Sequence, residues 1–497
     1  MTRQPTIHKG TVLRLGVILA VALLLRVLML TKESLWLDEI ASWMFASQKL
    51  PQVLRSEVTN PPLYYALLHF WIGWFGTGEA AMRILSVLPG VCSVWLVFHL
   101  ASKLFSRPVA YVAMVYDAIS TFQIYYSQEM RCFSLLVCLL LITGLCLWNA
   151  LAETGRRRLL YFAGVTLFGT ISLYTHFISV FFLASYGAYV LFRRPKQVIA
   201  VGASLGAAML LFAPWLMQML AAAGGGGQIR RYLLLKLPQA YFSFLFGDTL
   251  IPLDEQAVRH IPQTLRANWW ILTLAVASLA VFLPFLLRAW KRWGESMTFV
   301  LTMAVLPVLM AFVVSFKIMM FDERYLIGAS PFLYIAIVAA IAEIPAAARN
   351  SQSIMYAGWA ACAGFGVLLA VSLANYYFNP RFGKEQWREA DAYIDGLVPA
   401  ATTGLVVFDP DYLRGCYEYY SQRHLPEWRI TQQVAGAIVE SPALLRDQTG
   451  GYQHIVLVRA HEDHDAVLNA MRGALSEESE RIFSKANPIE IYSFRPR

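Results

Sequence analysis

The sequence predicts an α-helical polytopic membrane protein of about 11 transmembrane helices, with interfacial helices in the first outer loop and a small C-terminal soluble α/β domain. Three observations predict it. The 497 residues are 58% hydrophobic and only 15% charged, where soluble domains carry about 25% charged residues. Apolar runs of about 20 residues, the length that crosses a bilayer, recur from residue 11 to residue 374. Beyond residue 376 they give way to shorter segments with ordinary polar spacing.

The runs fall at 11–30, 80–103, 108–126, 132–151, 158–176, 177–193, 197–219, 267–288, 296–316, 325–345 and 353–374. Their connections alternate in character. One set is basic: Arg3 and Lys9, Lys103 and Arg107, Arg156 to Arg158, Arg193 to Lys196, Arg288 to Arg292, and Arg349. The other set, at 31–79, 126–131, 175–177, 220–266 and 317–324, holds acids, aromatics and histidine. The net charge of +9 therefore sets topology and gives no nucleic-acid surface. Basic loops face the cytoplasm, so the N-terminus is expected inside and, after an odd number of spans, the C-terminal domain outside. The expected place is a bacterial inner (plasma) membrane. No cleavable leader is expected, because Glu33 and Trp36 follow the first run instead of a small-residue site. The six cysteines form neither a disulfide framework nor a CxxC metal site.

Within the outer loops, 62–75 is apolar but short and follows Pro61-Pro62, which fits a helix lying at the interface. The segments 39–48 and 232–246 read the same way, and Gly224 to Gly227 reads as a hinge. The domain division is thus 1–376, transmembrane, and 377–497, extracytoplasmic. In the latter, 384–397, 412–422 and 463–477 have helical spacing, while 405–408, 455–458 and 489–494 are strand-like.

The stretch 32–62 organises the rest. Asp38 and Glu39 stand just past the first apolar run, among Trp36 and Trp43. An ionisable residue at a membrane boundary is a functional candidate by default. The plain alternative is that both acids start a helix and answer its dipole. Asn60, Tyr64, Tyr65, Glu129, Arg131, His176, Lys317, Arg324 and Tyr325 join them on the outer side, and the inner side has no comparable set. Carboxylates, cations and aromatics facing a lipid-bathed bundle suit a substrate with a phosphate head and a lipid tail. Each residue also has a plainer reading: Glu129 and Arg131 as a loop ion pair, His176 as a satisfied turn residue, the tyrosines as an interfacial belt.

Ser34-Leu35-Trp36-Leu37-Asp38-Glu39 resembles the acidic signature in the first outer loop of membrane glycosyltransferases of the C superfamily. The likeness is to the branch of protein O-mannosyltransferases and lipid A aminoarabinose transferases. Asn60-Pro61-Pro62-Leu63-Tyr64-Tyr65 is similar to the Pro-Pro-aromatic motif that follows, and 83–90 to the start of the next span. Tyr125 to Arg131 resembles the second acidic loop, Tyr174-Thr175-His176-Phe177 the histidine turn, and Arg324-Tyr325-Leu326 the family's late arginine.

The resemblance implies inverting transfer of a hexose or pentose from a polyprenyl-phosphate donor to an acceptor hydroxyl on the outer face. The acceptor would be a glycolipid, a glycan or a protein; the other partners are membrane lipids, and nucleic acid is not one. Asp38 would be the base, with Glu39 beside it and Glu129 as a further catalytic acid. Arg324, Arg131 and Lys317 would hold the donor phosphate, and His176, Tyr64, Tyr65, Asn60 and Tyr325 the substrate. No cofactor is required. A divalent metal would find ligands in Asp38, Glu129 and His176, but their spacing does not demand one. Two alternatives remain: a lipid-linked sugar flippase, and a nucleotide-sugar site at Asp409-Pro410-Asp411 after a strand.

Overall fold

Each of the eleven apolar runs contains helix in the computed structural model, which describes residues 9–55, 60–222, 233–252, 261–318, 320–349, 351–440, 443–461, 465–483 and 488–497. The Gly224 to Gly227 hinge lies outside the described residues. Seven described helices are long and apolar enough to cross a membrane by length and composition. They are joined by shorter apolar helices such as Ser179–Arg193. The chain is a multi-pass membrane protein with a small C-terminal sheet domain. It divides into two units: Met1–Leu30 with Gln48–Phe378, and Thr31–Ser47 with Asn379–Arg497.

In the helical unit, one run departs from the simple periodic reading. The run 108–126 breaks at Ser120, whose ψ of 116° ends Arg107–Ile119 and starts Thr121–Ser127. Ser120 Oγ accepts from Gln123 N, and Arg26 donates to the carbonyls of Asp117 and Ala118, so the broken ends keep partners. This matters where no water can satisfy them. The runs 267–288 and 296–316 stay two helices within Trp269–Val314 and meet at Gly294, whose φ of 35° and ψ of −90° are not helical. Glycine carries that φ without steric penalty.

Gly90, in the Glu79–Leu104 helix, shows why the motif after the Pro-Pro segment is small there. A Cβ would stand 2.3 Å from Ser127 Oγ. Ser127 in turn accepts from Arg26 Nε at 3.2 Å and donates to Gln123 O at 2.6 Å. The loop 127–132 is thereby pinned to the first and second long helices. Gln128 completes the pinning: its amide donates to the carbonyls of Leu25, Arg26 and Leu28 at 2.9–3.1 Å, and Tyr376 donates to its Oε1 at 2.5 Å.

The second unit is built on a five-stranded sheet of order β2-β1-β3-β5-β4, with β1 (Gly404–Asp409), β2 (Glu427–Arg429), β3 (His454–Ala460), β4 (Leu475–Phe483) and β5 (Ile489–Pro496). β1 runs parallel to β2 and β3, and β5 is antiparallel to β3 and β4. β1 and β3 are buried along their whole length, as central strands covered on both faces are. Helices Trp387–Leu397 and Arg414–Tyr420 pack together. The first-loop helix Leu37–Ala46 packs on Arg414–Tyr420, and a Cβ on Gly415 would meet Met44 Sδ at 2.4 Å. The expected helix 463–477 is shorter, Ala466–Ala474, because Leu475 begins β4.

Candidate functional site

The helical unit gathers a cluster from four connections, at Asn60–Tyr65, Arg131, His176 and Arg324–Tyr325. Tyr64 stands at the start of helix Leu63–Phe75, and its hydroxyl bonds Ser86 Oγ at 2.8 Å. Ser86 donates to the carbonyl of Arg131 at 2.9 Å, so Tyr64 must be the donor to Ser86. Both are buried and fix the backbone of Arg131. Tyr65 is buried against Tyr64, with ring centroids 6.3 Å apart, and Asn60 is half-buried just before Pro61.

The Arg131 guanidinium lies 5.7 Å from the Phe133 ring, and that of Arg324 lies 5.3 Å from the Tyr325 ring. His176 stacks on Phe177 at 4.8 Å and meets Tyr325 at 4.8 Å with the rings tilted by 42°, with Phe133 at 6.1 Å. The charges of both arginines bear on His176. Its Nδ1 accepts from Ile178 N at 3.2 Å. That bond assigns the proton to Nε2, which is buried and has no hydrogen-bond partner among the described residues. Two guanidinium groups and an imidazole N–H around aromatic faces make an anion-binding arrangement. Arg324 also pairs with Asp322 at 3.4 Å.

Acids adjoin this cluster. Glu129 is fully buried. Its charge, with those of Glu323 and Asp322, bears on Asp248. Burial and these neighbours push the Asp248 carboxyl up to about 7. Glu323 is also raised, first by burial and then by Asp322, with Lys236 and Arg324 opposing. Sequence reasoning named Lys317 as the third cation, but Lys317 is exposed and makes no described contact with the cluster. Lys236 is a further cation, whose charge bears on Glu323. The signal for it was its position in the apolar helix Leu233–Phe246, where it is the one charged side chain.

Asp38 and Glu39 belong to the other unit, in the first turn of helix Leu37–Ala46, where the helix dipole favours carboxylates. Their environments differ. Asp38 is part-exposed, and Glu39 is fully buried. Glu39 Oε2 accepts from Trp36 N at 3.4 Å and lies 3.9 Å from Lys384 Nζ. Asp38 is thus the more exposed member of the pair. Asp409, from the alternative Asp-Pro-Asp reading, pairs with the buried Arg459 at 3.6 Å. Among the described residues, no three His, Cys, Asp or Glu gather as metal ligands.

Residues 59–218 match the family model for dolichyl-phosphate-mannose-protein mannosyltransferase. The fold is similar to that of ArnT from Cupriavidus metallidurans in the apo state, with TM-score 0.58 at 12% identity over 98% of each chain. The same enzyme bound to undecaprenyl phosphate gives 0.55 at 12% identity, again over 98% of each chain. The Archaeoglobus fulgidus oligosaccharyltransferase AglB, in complex with an inhibitory peptide and a dolichol-phosphate, gives 0.57 at 12% identity over 90% of this chain and 69% of that one. No curated protein matches the sequence.

Proposed function

We propose that this chain, which has the fold of the C superfamily of membrane glycosyltransferases, moves a sugar from a polyprenyl phosphate to an acceptor hydroxyl with inversion at the anomeric carbon. The observation that carries the reading is the cluster of Arg131, His176 and Arg324 around Phe133 and Tyr325. It is an anion site at the ends of apolar helices, as a phosphate on a lipid chain requires. Similar folds with bound undecaprenyl phosphate and dolichol-phosphate support that choice of donor.

The chemistry follows from the residues. The acceptor oxygen attacks the anomeric carbon from the face opposite the phosphate. Its proton passes to the Asp38 carboxylate as the new C–O bond forms. The bond from the anomeric carbon to the phosphate oxygen breaks, and its electron pair leaves with the lipid phosphate. The phosphate monoanion becomes a dianion, and Arg131 and Arg324 stabilise the growing charge. Inversion takes one displacement, so one base suffices. Buried Glu39 keeps the neighbouring charge fixed. The arginines supply positive charge to the leaving group.

The basic loops support a cytoplasmic N-terminus in a plasma membrane. The grouping of Thr31–Ser47 with the C-terminal sheet domain in one unit supports placing both on the same side. The acceptor class is a glycolipid, glycan or protein hydroxyl.

The test is reconstitution in liposomes with undecaprenyl-phosphate pentoses and hexoses labelled in the sugar. The proposal expects label to leave the lipid and free undecaprenyl phosphate to appear. Movement of intact labelled lipid between leaflets, with no cleavage, would establish a flippase instead.

A further inference from the structure

The loop that carries Asp38 has no regular structure of its own from residue 34 to residue 36. Its backbone donors find their partners in the C-terminal segment. Leu35 N donates to Tyr420 Oη at 2.7 Å, and Leu37 N donates to Glu385 Oε2 at 3.2 Å. Ser34 Oγ donates to the Glu385 carbonyl at 2.6 Å and accepts from Trp387 N at 3.0 Å. Glu33 Oε2 accepts from Lys384 N at 3.2 Å. Lys384, Glu385 and Trp387 of the C-terminal segment thus run alongside the acidic signature.

Glu385 itself is held hard. It is 1% exposed, and its Oε2 also accepts from the Trp387 indole at 2.6 Å. His461 Nε2 lies 3.0 Å from Oε1. His461 adopts φ 64°, a left-handed conformation that a non-glycine residue keeps only where its surroundings fix it. Burying a carboxylate is costly unless donors converge on it, and here the Leu37 N–H and the Trp387 indole both donate to Oε2.

We infer that Glu385 is the positioning residue for Asp38. It fixes the Leu37 N–H, one residue before Asp38, and so sets where the first turn of helix Leu37–Ala46 begins. Lys384 does the matching work for Glu39 as its buried counter-charge. The C-terminal domain is therefore half of the catalytic loop's support. A base held within about 0.5 Å of its productive place needs such a supporting layer, and a 1 Å misplacement costs up to about a hundredfold in rate. The inference rests on the reading of Asp38 as the base.

Leu37→Pro isolates the contact. Leu37 is the first residue of its helix, where proline is tolerated, and Trp36 at ψ 172° already has the conformation that precedes proline. The variant deletes the N–H that Glu385 accepts and little else of the backbone. It is compared with Glu385→Ala, Glu385→Gln and Asp38→Asn in the full chain, using the labelled undecaprenyl-phosphate sugar that the wild type turns over fastest. Leu37→Pro and Glu385→Ala should lower kcat at least tenfold with donor KM within twofold. Glu385→Gln, whose amide oxygen can still take the Leu37 N–H, should stay within threefold of wild type.

Wild-type kcat in folded Leu37→Pro overturns the inference, and so does failure of that variant to fold, since proline fits the helix start. Should Glu385→Ala not fold, Leu37→Pro and Glu385→Gln decide. If Asp38→Asn is inactive while Leu37→Pro is normal, the base stands and the positioning role falls. If Asp38→Asn is fully active, the base reading falls with it.

Discussion

Gln128→Met removes the amide that ties loop 127–132 to the end of the first long helix, while nearly keeping the side chain's length. Three carbonyls accept from Nε2, those of Leu25, Arg26 and Leu28. An NH₂ group has two hydrogens, so these amount to two full bonds shared among three acceptors. The Tyr376 bond to Oε1 is a third. At about 1 kcal/mol net for each bond, the loss is roughly 3 kcal/mol. For a chain of this size that lowers Tm by roughly 3–6 °C, fewer degrees per kcal/mol than a small domain shows. Intrinsic-fluorescence melting in detergent at a fixed heating rate measures it. A second variant sharpens the reasoning. Gln128→Glu keeps an acceptor for Tyr376 but sets a carboxylate against three carbonyl oxygens, so it should melt below Gln128→Met. A methionine variant within 1 °C of wild type, or a glutamate variant more stable than methionine, would refute the capping account.

Other outcomes follow from the same contacts. Arg324→Ala should weaken donor use by about 2–5 kcal/mol, the range for losing one member of a desolvated charge pair, and Arg324→Lys should recover only part because the guanidinium fork is lost; steady-state donor kinetics check both. Asp248 keeps its proton up to about pH 7 in the fold but gives it up near pH 3.8 when unfolded, so its contribution to stability falls as pH rises between those values. Asp248→Asn should therefore flatten the decline of Tm across that window, and an unchanged pH profile would contradict it. Gly90→Ala should cost about 1–3 kcal/mol by overpacking against Ser127, read as a lower Tm. Glu39→Gln should lose less turnover than Asp38→Asn, since Glu39 is buried behind the reacting face.

The apolar runs and the alternation of their loops were legible because a bilayer demands both, and no tertiary context overrides either demand. The break at Ser120 was not, since the carbonyls it frees are taken by Arg26, 92 residues away from Ala118. Strand β4 was hidden because its sequence, Leu475–Phe483, is largely charged and polar, the character of an exposed edge strand. In the candidate site, Arg131, His176 and Arg324 were each visible as polar residues at span ends, and the fold supplied their meeting around Phe133 and Tyr325. Lys384 and Glu385 carried no local signal. Their role comes from pairing with residues about 350 positions earlier, which spacing within one segment cannot express.

The central claim is that Asp38 takes the acceptor's proton. The direct measurement is single-turnover sugar release by Asp38→Asn beside its affinity for undecaprenyl phosphate, with melting as the control for folding. The account predicts turnover lowered by about 10²–10⁴-fold, the usual cost of removing a general base, with lipid phosphate affinity within threefold of wild type. Wild-type turnover by a folded Asp38→Asn chain would contradict it.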